Sequence, residues 1–432
     1  MNDHNHLPTL HPDMLAHSAA FTQHLYTQMR VQMASDKSHA SQEHVSDTAP
    51  ASASDNTTAQ ASTSHGATSH DTATPCISFE QWMGMVLYTP EWGYYTGGLA
   101  KLSGDSQAGQ ALQGDFTTAP ELSPWYGRTL AQQVSQVLQA SDSLNILEFG
   151  AGSGKLAFDV LNELNNPNIN YFILELSADL KARQAERLAP FATQVEWLDA
   201  LPSQFTGCVL ANEVLDAMPT TVFEFNQDAE LQELYVGFDA EQAQFVWQPQ
   251  PASAELSHLV QARMPALPHY RSEINRQAES WIHAMGSWLQ KGAAILIDYG
   301  FPQQEYYHPQ RAEGTLMCHL RHHAHADPLV YPGLQDITAH VDFTAMADAA
   351  IEGGLEVLGY TSQARFLMNC GILQMLSQLN PEDTLNYAQS IGPVQKLLSE
   401  AEMGELFKVL MIARDVDIDP IGFMLGDRRH SL

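Results

Sequence analysis

Apolar positions recur with two different periods along this chain, and the changes of period mark its elements. Leu15, Phe21, Leu25 and Met29 fall at roughly helical spacing and predict a helix over 14–33. From 34 to 75 large apolar residues almost vanish among Ser, Thr, Ala, Asp and His. Such a stretch buries too little surface to offset its ordering entropy, so it reads as a disordered linker. Order is expected again from Ile77, with a helix over 77–87, an aromatic turn over 88–98 and an ordered loop over 114–127 leading into a helix from 121 to 139.

Short apolar runs then alternate with amphipathic ones. Strands are predicted over 144–149, 170–176, 195–198 and 207–214, with helices over 155–164 and 178–188 between them. That alternation indicates an α/β fold with a doubly wound, Rossmann-like parallel sheet. Residues 221–248 interrupt it as a small antiparallel meander. An amphipathic helix over 271–290 carries Ile274, Ala278, Trp281, Ile282, Met285 and Leu289 on one side, and a strand over 293–300 returns to the sheet. A His- and Pro-rich loop over 301–335 and mainly helices follow, Leu367, Ile372, Leu373, Met375 and Leu376 among them offering either core or a homodimer surface. The expected organisation is an N-terminal helix (1–33), the linker (34–75), a sheet core (76–220 and 271–300), and a substrate-recognition part (221–270 and 301–432).

Composition narrows the function. The 432 residues carry 20 Lys+Arg against 50 Asp+Glu, a formal charge of −30. That balance disfavours tracking along phosphates, hence nucleic acid, and docking on anionic lipid. No apolar run reaches the length of a membrane span, and the N-terminus lacks the pattern of a secretory signal. Cys76, Cys208, Cys318 and Cys370 are far apart and form no metal-binding pair, so free thiols in a reducing cytoplasm are expected.

The strongest local signal is LNILEFGAGSGKLA, where Gly150, Gly152 and Gly154 follow a strand and open a helix. Closely spaced glycines let a ligand reach backbone amides at a helix N-terminus. A phosphate-binding P-loop would need Gly at 149 and Ser or Thr at 156, which are Phe149 and Leu156. A dinucleotide fingerprint would need its third glycine at 155, which is Lys155. The remaining class is S-adenosyl-L-methionine (SAM), a ligand with no phosphate and a cationic sulfur. Glu148 lies two positions before the first glycine. Glu175, ending the next strand, is placed for the ribose hydroxyls, and Asp199, after the third, for the adenine side. Asn212, Glu213 and Asp216 in ANEVLDAMP follow the fourth strand and are candidates for the reaction mouth.

With these motifs ISFEQWMGMVLYTPEWGYYTGG, GDFTTAPELSPWYG, LIDYG, GTLMCHLRHHAHADP and DITAHVDF occur in an order that resembles the MidA family of SAM-dependent methyltransferases, over about 77–432. This family includes the mitochondrial assembly factor of respiratory complex I, described as a protein arginine methyltransferase. The resemblance implies a class I methyltransferase core with an added substrate domain. By motif it assigns the cofactor loop to Gly150, Gly152 and Gly154 and the ribose acid to Glu175, with Gly114, Asp115 and Phe116 of the GDF segment beside the active site. The segment 34–75 departs from the family pattern as an insertion.

Methyl transfer is an in-line displacement, so an enzyme mainly aligns the nucleophile and excludes water. If the acceptor is a guanidinium, carboxylates can hold two of its nitrogens and leave the third aimed at the methyl. Glu213, Asp216 and Asp115 are the candidates, with His322, and next His325, as a base or substrate-ordering group. The cluster Cys318, His319, His322, His323 and His325 matches no standard metal spacing. Asp298, Tyr299 and Gly300, ending a strand, are expected on the substrate side. The leading reading is methylation of an arginine on a partner subunit, as of a respiratory dehydrogenase. A small-molecule methyltransferase and a SAM-binding assembly chaperone with little turnover are the alternatives.

Overall fold

Near-continuous apolar strands need cover on both faces, and the chain supplies it with flanking helices. The computed structural model describes residues 7–43, 75–97, 118–380 and 382–432. The first elements are α1 (Pro12–Glu43), β1 (Cys76–Ser78), α2 (Phe79–Tyr88), α3 (Ala119–Leu122), α4 (Pro124–Ser141), β2 (Asn145–Phe149), α5 (Lys155–Leu164), β3 (Asn170–Leu174), α6 (Ala178–Arg187), β4 (Val195–Leu198) and β5 (Phe205–Asn212). The middle of the chain forms β6 (Thr221–Phe225), β7 (Leu231–Asp239), β8 (Gln244–Pro251), α7 (Ala254–Arg263), β9 (Tyr270–Ile274), α8 (Arg276–Trp288), β10 (Leu289–Phe301) and α9 (Gln303–Tyr306). Then follow β11 (Met317–Leu320), β12 (His323–His325), β13 (Asp336–Thr338), β14 (Val341–Asp342), α10 (Phe343–Glu352), β15 (Glu356–Ser362), α11 (Gln363–Asn369), α12 (Ile372–Leu376), α13 (Thr384–Leu398), α14 (Met403–Leu406) and β16 (Phe407–Arg414).

The central sheet runs β15-β16-β10-β5-β2-β3-β4, with the short β14 added beside β10. The strands from β10 to β4 are parallel, and β16 is antiparallel to both of its neighbours. One apolar layer contains Leu130, Val134 and Val137 of α4, Leu156 and Val160 of α5, and Phe366, Leu367, Ile372 and Leu376 from the C-terminal helices. Another contains Ile282 and Met285 of α8 and Met346 and Ala349 of α10. The C-terminal Leu367, Ile372 and Leu376 are therefore core, while Leu373 is exposed.

A second, antiparallel sheet is built on β7. It pairs β8 along its length and, on its other edge, β6 at its start and β1 at its end; β9 adds to β6. Helix α2 starts at a capping box between Ser78 and Gln81 and buries Phe79, Trp82, Met83, Val86 and Leu87 against this sheet's core. Phe21, Leu25 and Met29 of α1 join the same core, and Trp92 stacks on Phe21 at 5.6 Å between ring centres. Met14 and Leu10 pack on Leu320 and Leu334, so the N-terminal segment also backs the β11–β12 hairpin.

Four expectations change. Helix α1 runs to Glu43, well into the segment read as linker, and Leu15 lies on its exposed side. The segment at 76–88 belongs to the second sheet rather than to the core built on the central sheet. Residues 270–274 form a strand; its buried Ser272 and Glu273 hide it in the sequence, and Ile274 happens to match the helical period of α8. The C-terminal part is not wholly a substrate domain, since β15 and β16 complete the central sheet. A fully apolar run such as VLMIA (409–413) cannot be told from a buried helix by period alone.

Docking of α1 is testable. Phe21 is fully buried, so Phe21→Ala should lower unfolding stability by about 3–5 kcal/mol in urea titration. A loss below about 1 kcal/mol would show that α1 does not pack on the second sheet.

Candidate active site

The site begins where β2 stops. Gly150, Gly152 and Gly154 have φ of 60°, 52° and 77°, a left-handed conformation that side chains resist. A Cβ on Gly152 would meet nothing within 4 Å, so the loop faces open space there, and a Cβ on Gly154 would come within 3.4 Å of Gln184. Gly154 is the N-cap of α5, whose first amides are available to a ligand. The Lys155 ammonium is already held by Asp159 one helical turn on, so the loop offers no free lysine for a phosphate.

Two of the expected acids lie beside this loop. Glu148 is buried and accepts a hydrogen bond from the Tyr171 hydroxyl at 2.8 Å; burial pushes its carboxyl up to about 8. Glu175 directly follows β3, and Oε1 accepts from the Ser177 amide at 3.0 Å and Oε2 from the Gln184 side-chain amide at 3.0 Å. Its pKa is raised by burial against the lowering effect of these donors. Asp199 is different: its carboxylate is 94% exposed and paired with Lys181 at 2.9 Å, outside the cleft lining. The chain turns away after β4, and Leu201 lines the cleft instead.

The other end of the site is a turn after β5. Asn212 accepts from the Tyr126 hydroxyl at 2.5 Å and donates to Glu213 at 3.1 Å. Glu213 has φ of 54°, a strained value for a residue with a side chain. The turn is fixed from below by Asp298, buried at the end of β10. Its Oδ2 accepts the amides of Val214, Leu215 and Asp216 at 3.0–3.2 Å, and its Oδ1 that of Tyr299 at 2.9 Å. Asp298 therefore faces the turn, and Tyr299 is the one that lines the cleft. Asp216 is buried with Oδ1 unpartnered. Burial raises both aspartates, Asp216 to about 6, and the charges of Asp216 and Glu213 add to the upward push on Asp298. Glu213 is half-buried and is pushed up to about 8 by burial and then by the charge of Asp216.

Both ends open into one cleft of about 1650 Å³. Glu148, Gly150, Gly152, Glu175, Asn212, Glu213, Asp216 and His322 all line it; Gly154 sits just behind, under α6. Gly114, Asp115 and Phe116 lie outside the described residues. His322 and Arg321 form the two-residue turn of the β11–β12 hairpin, both with positive φ, at the rim. His325 is not among the lining residues. Among the described residues no His, Cys, Asp and Glu group could hold a metal ion. No helix among them is long and apolar enough to cross a membrane.

Several lining residues escaped the sequence reading. Tyr88, Tyr94 and Tyr95 from the aromatic turn line the acidic end, where the Tyr95 hydroxyl donates to Asp336 at 2.7 Å and that of Tyr88 to the Ala217 carbonyl at 2.8 Å. The turn itself was visible, but nothing in its spacing says which sheet it faces. Gln184, behind the lining rather than in it, is the one buried side chain of a mostly polar helix, and an amide at an inward position was its only signal.

Residues 127–361 match the family described as "Putative S-adenosyl-L-methionine-dependent methyltransferase". A protein from Burkholderia thailandensis, solved bound to S-adenosyl-homocysteine, is 40% identical with a TM-score of 0.82, covering 99% of this chain and 100% of its own. Among curated proteins, the mitochondrial protein arginine methyltransferase NDUFAF7 of Danio rerio is 29% identical over 378 residues, 79% of this chain and 84% of its own. The human protein of that name is 26% identical over 372 residues, 77% and 78% of the two chains. The residues fit such a cofactor: an open glycine loop without a free lysine, and a strand-end carboxylate with room for further donors.

Because position 152 faces open space at positive φ, Gly152→Arg should fill the loop at a cost of about 1–2 kcal/mol in backbone strain. Isothermal titration should show S-adenosylhomocysteine affinity reduced at least a hundredfold, with melting lowered by only a few degrees. Retained affinity would place the cofactor elsewhere.

Proposed function

The chain belongs to the MidA family of S-adenosyl-L-methionine-dependent methyltransferases, and from that membership we propose that it methylates an arginine side chain on a partner protein. We place the partner as a subunit of a respiratory dehydrogenase and the reaction in the cytoplasm. The observation that carries this reading is the acidic end of the cleft. There the buried, unpartnered Oδ1 of Asp216 and the strained Glu213 sit among tyrosines. Guanidinium is planar and permanently charged, and carboxylates can take two of its nitrogens while aromatic rings suit its faces. The names of the curated relatives support the same acceptor. The cleft of about 1650 Å³ takes in the cofactor end and the acceptor end together, and so leaves room for a side chain to enter beside the bound cofactor.

When bound, the cofactor supplies a methyl group activated by a positively charged sulfur. The chain's residues do the rest. Asp298 holds the turn, so that the Glu213 and Asp216 carboxylates present a fixed pair to the guanidinium. Alkylation of a guanidinium nitrogen releases one proton. Glu213, raised to about 8, is basic enough to receive it at a carboxylate oxygen. Tyr88, Tyr95 and Tyr299 wall this end against water.

The direct test is incubation of the full chain with methyl-labelled SAM and a cell lysate, then hydrolysis of the labelled protein. Methylarginine is expected, and it should be lost with Asp216→Asn while that variant keeps S-adenosylhomocysteine affinity within about threefold. Label on another residue, or only in the small-molecule fraction, would refute the assignment. The pH dependence has a definite sign. A cationic acceptor needs ionised carboxylates, so the rate should rise from pH 6 to pH 8 as Asp216 and then Glu213 lose protons. Stability runs the other way: a carboxyl raised from its usual 4.5 to about 8 stabilises the fold fully below 4.5 and loses that contribution as pH climbs through 8. Glu213→Gln should flatten the fall in melting temperature over that window, and an unchanged slope would contradict the raised carboxyl.

A further inference from the structure

Helix α6 buries a single side chain, and it is not apolar: Gln184 is fully buried while its neighbours on the helix are half-buried or exposed. A helix docked only for stability would place Leu or Met there, because burying an amide costs free energy that its hydrogen bonds only just return. The amide makes three bonds. Nε2 donates to the Gly152 carbonyl at 2.9 Å and to Glu175 Oε2 at 3.0 Å, and Oε1 accepts from the Trp197 indole at 2.8 Å. An indole N–H can only donate, so Trp197 fixes which end of the amide faces Glu175. Both amide hydrogens are then used, one on the cofactor loop and one on the strand-end carboxylate.

We infer that Gln184 is the positioning residue of the cofactor site, holding the Glu175 carboxylate for the ribose hydroxyls and locking it in register with the glycine loop. Trp197 acts behind it as the orienting donor. A carboxylate has about four acceptor directions. Ser177 takes one on Oε1 and Gln184 one on Oε2, with the Leu176 amide a further backbone donor, so Gln184 fixes which way Oε2 faces while the carboxylate keeps acceptor capacity for a ribose hydroxyl. The amide's hydrogen also opposes the upward push that burial exerts on the Glu175 carboxyl. The inference rests on the reading of Glu175 as the ribose acid, so its test separates the two.

Gln184→Met keeps length and shape and removes all three bonds. Titration calorimetry on the full chain would compare S-adenosylhomocysteine with its 2′,3′-dideoxyribose analogue, with melting temperature measured alongside. The wild type should lose affinity when the hydroxyls are removed. The variant should bind S-adenosylhomocysteine about ten- to a hundredfold more weakly yet bind the dideoxy analogue within threefold of wild type, with melting lowered by no more than several degrees for the partners left unpaired. Trp197→Phe should show the same selective loss in smaller degree, and it carries the test if the methionine variant fails to fold. Equal losses for both ligands would reduce Gln184 to a brace of the loop and overturn the inference. Affinity for S-adenosylhomocysteine within twofold of wild type would do the same. A wild type indifferent to the hydroxyls would remove Glu175 from the ribose and the inference with it.

Discussion

The cleft exists because β2 has β3 on one side and β5 on the other. In a parallel sheet that order reversal opens a crevice beyond the carboxyl ends of the strands, since the connections leave in opposite directions. From those ends hang the glycine loop on β2, Glu175 after β3, the Asn212–Asp216 turn on β5 and Asp298 on β10. The second sheet, α1 and the β11–β12 hairpin then roof a crevice the first sheet has already made.

Two buried polar hubs convert that crevice into a site. Asp298 gathers three consecutive amides and so sets where Glu213 and Asp216 stand. Gln184 ties the loop of β2 to the acid of β3. Each replaces apolar packing with directional bonds at a place where position matters more than stability. The raised carboxyls of Glu148, Glu213 and Asp216 follow from the same choice, because carboxylates gathered in a low-dielectric crevice resist ionisation until a cation arrives.

Much of this was legible in the residues. The strand–Gly150–Gly152–Gly154–helix signal and the apolar runs through β5 carry strong local rules, and the order of the core elements followed from them. What was hidden is tertiary. Asp199 had the right spacing, but the chain leaves β4 outward and hands the carboxylate to Lys181. Strand β9 was masked because Glu273 is buried for its bonds to Thr315, not for apolarity. Asp298 reads as a strand-end acid until its backbone partners, some 80 residues away in sequence, are known. The roles of Tyr88 and Tyr95 depend on which sheet faces which.

On the proposed function, the ends of β2 and β3 receive the cofactor while the hairpin and the β5 turn serve the acceptor. Hydrogen–deuterium exchange on the full chain, with and without saturating S-adenosylhomocysteine, tests this most directly. Protection is expected in 148–156 and 175–185, with the hairpin 317–325 unchanged. Protection centred on 317–325, with the glycine loop unaffected, would contradict it.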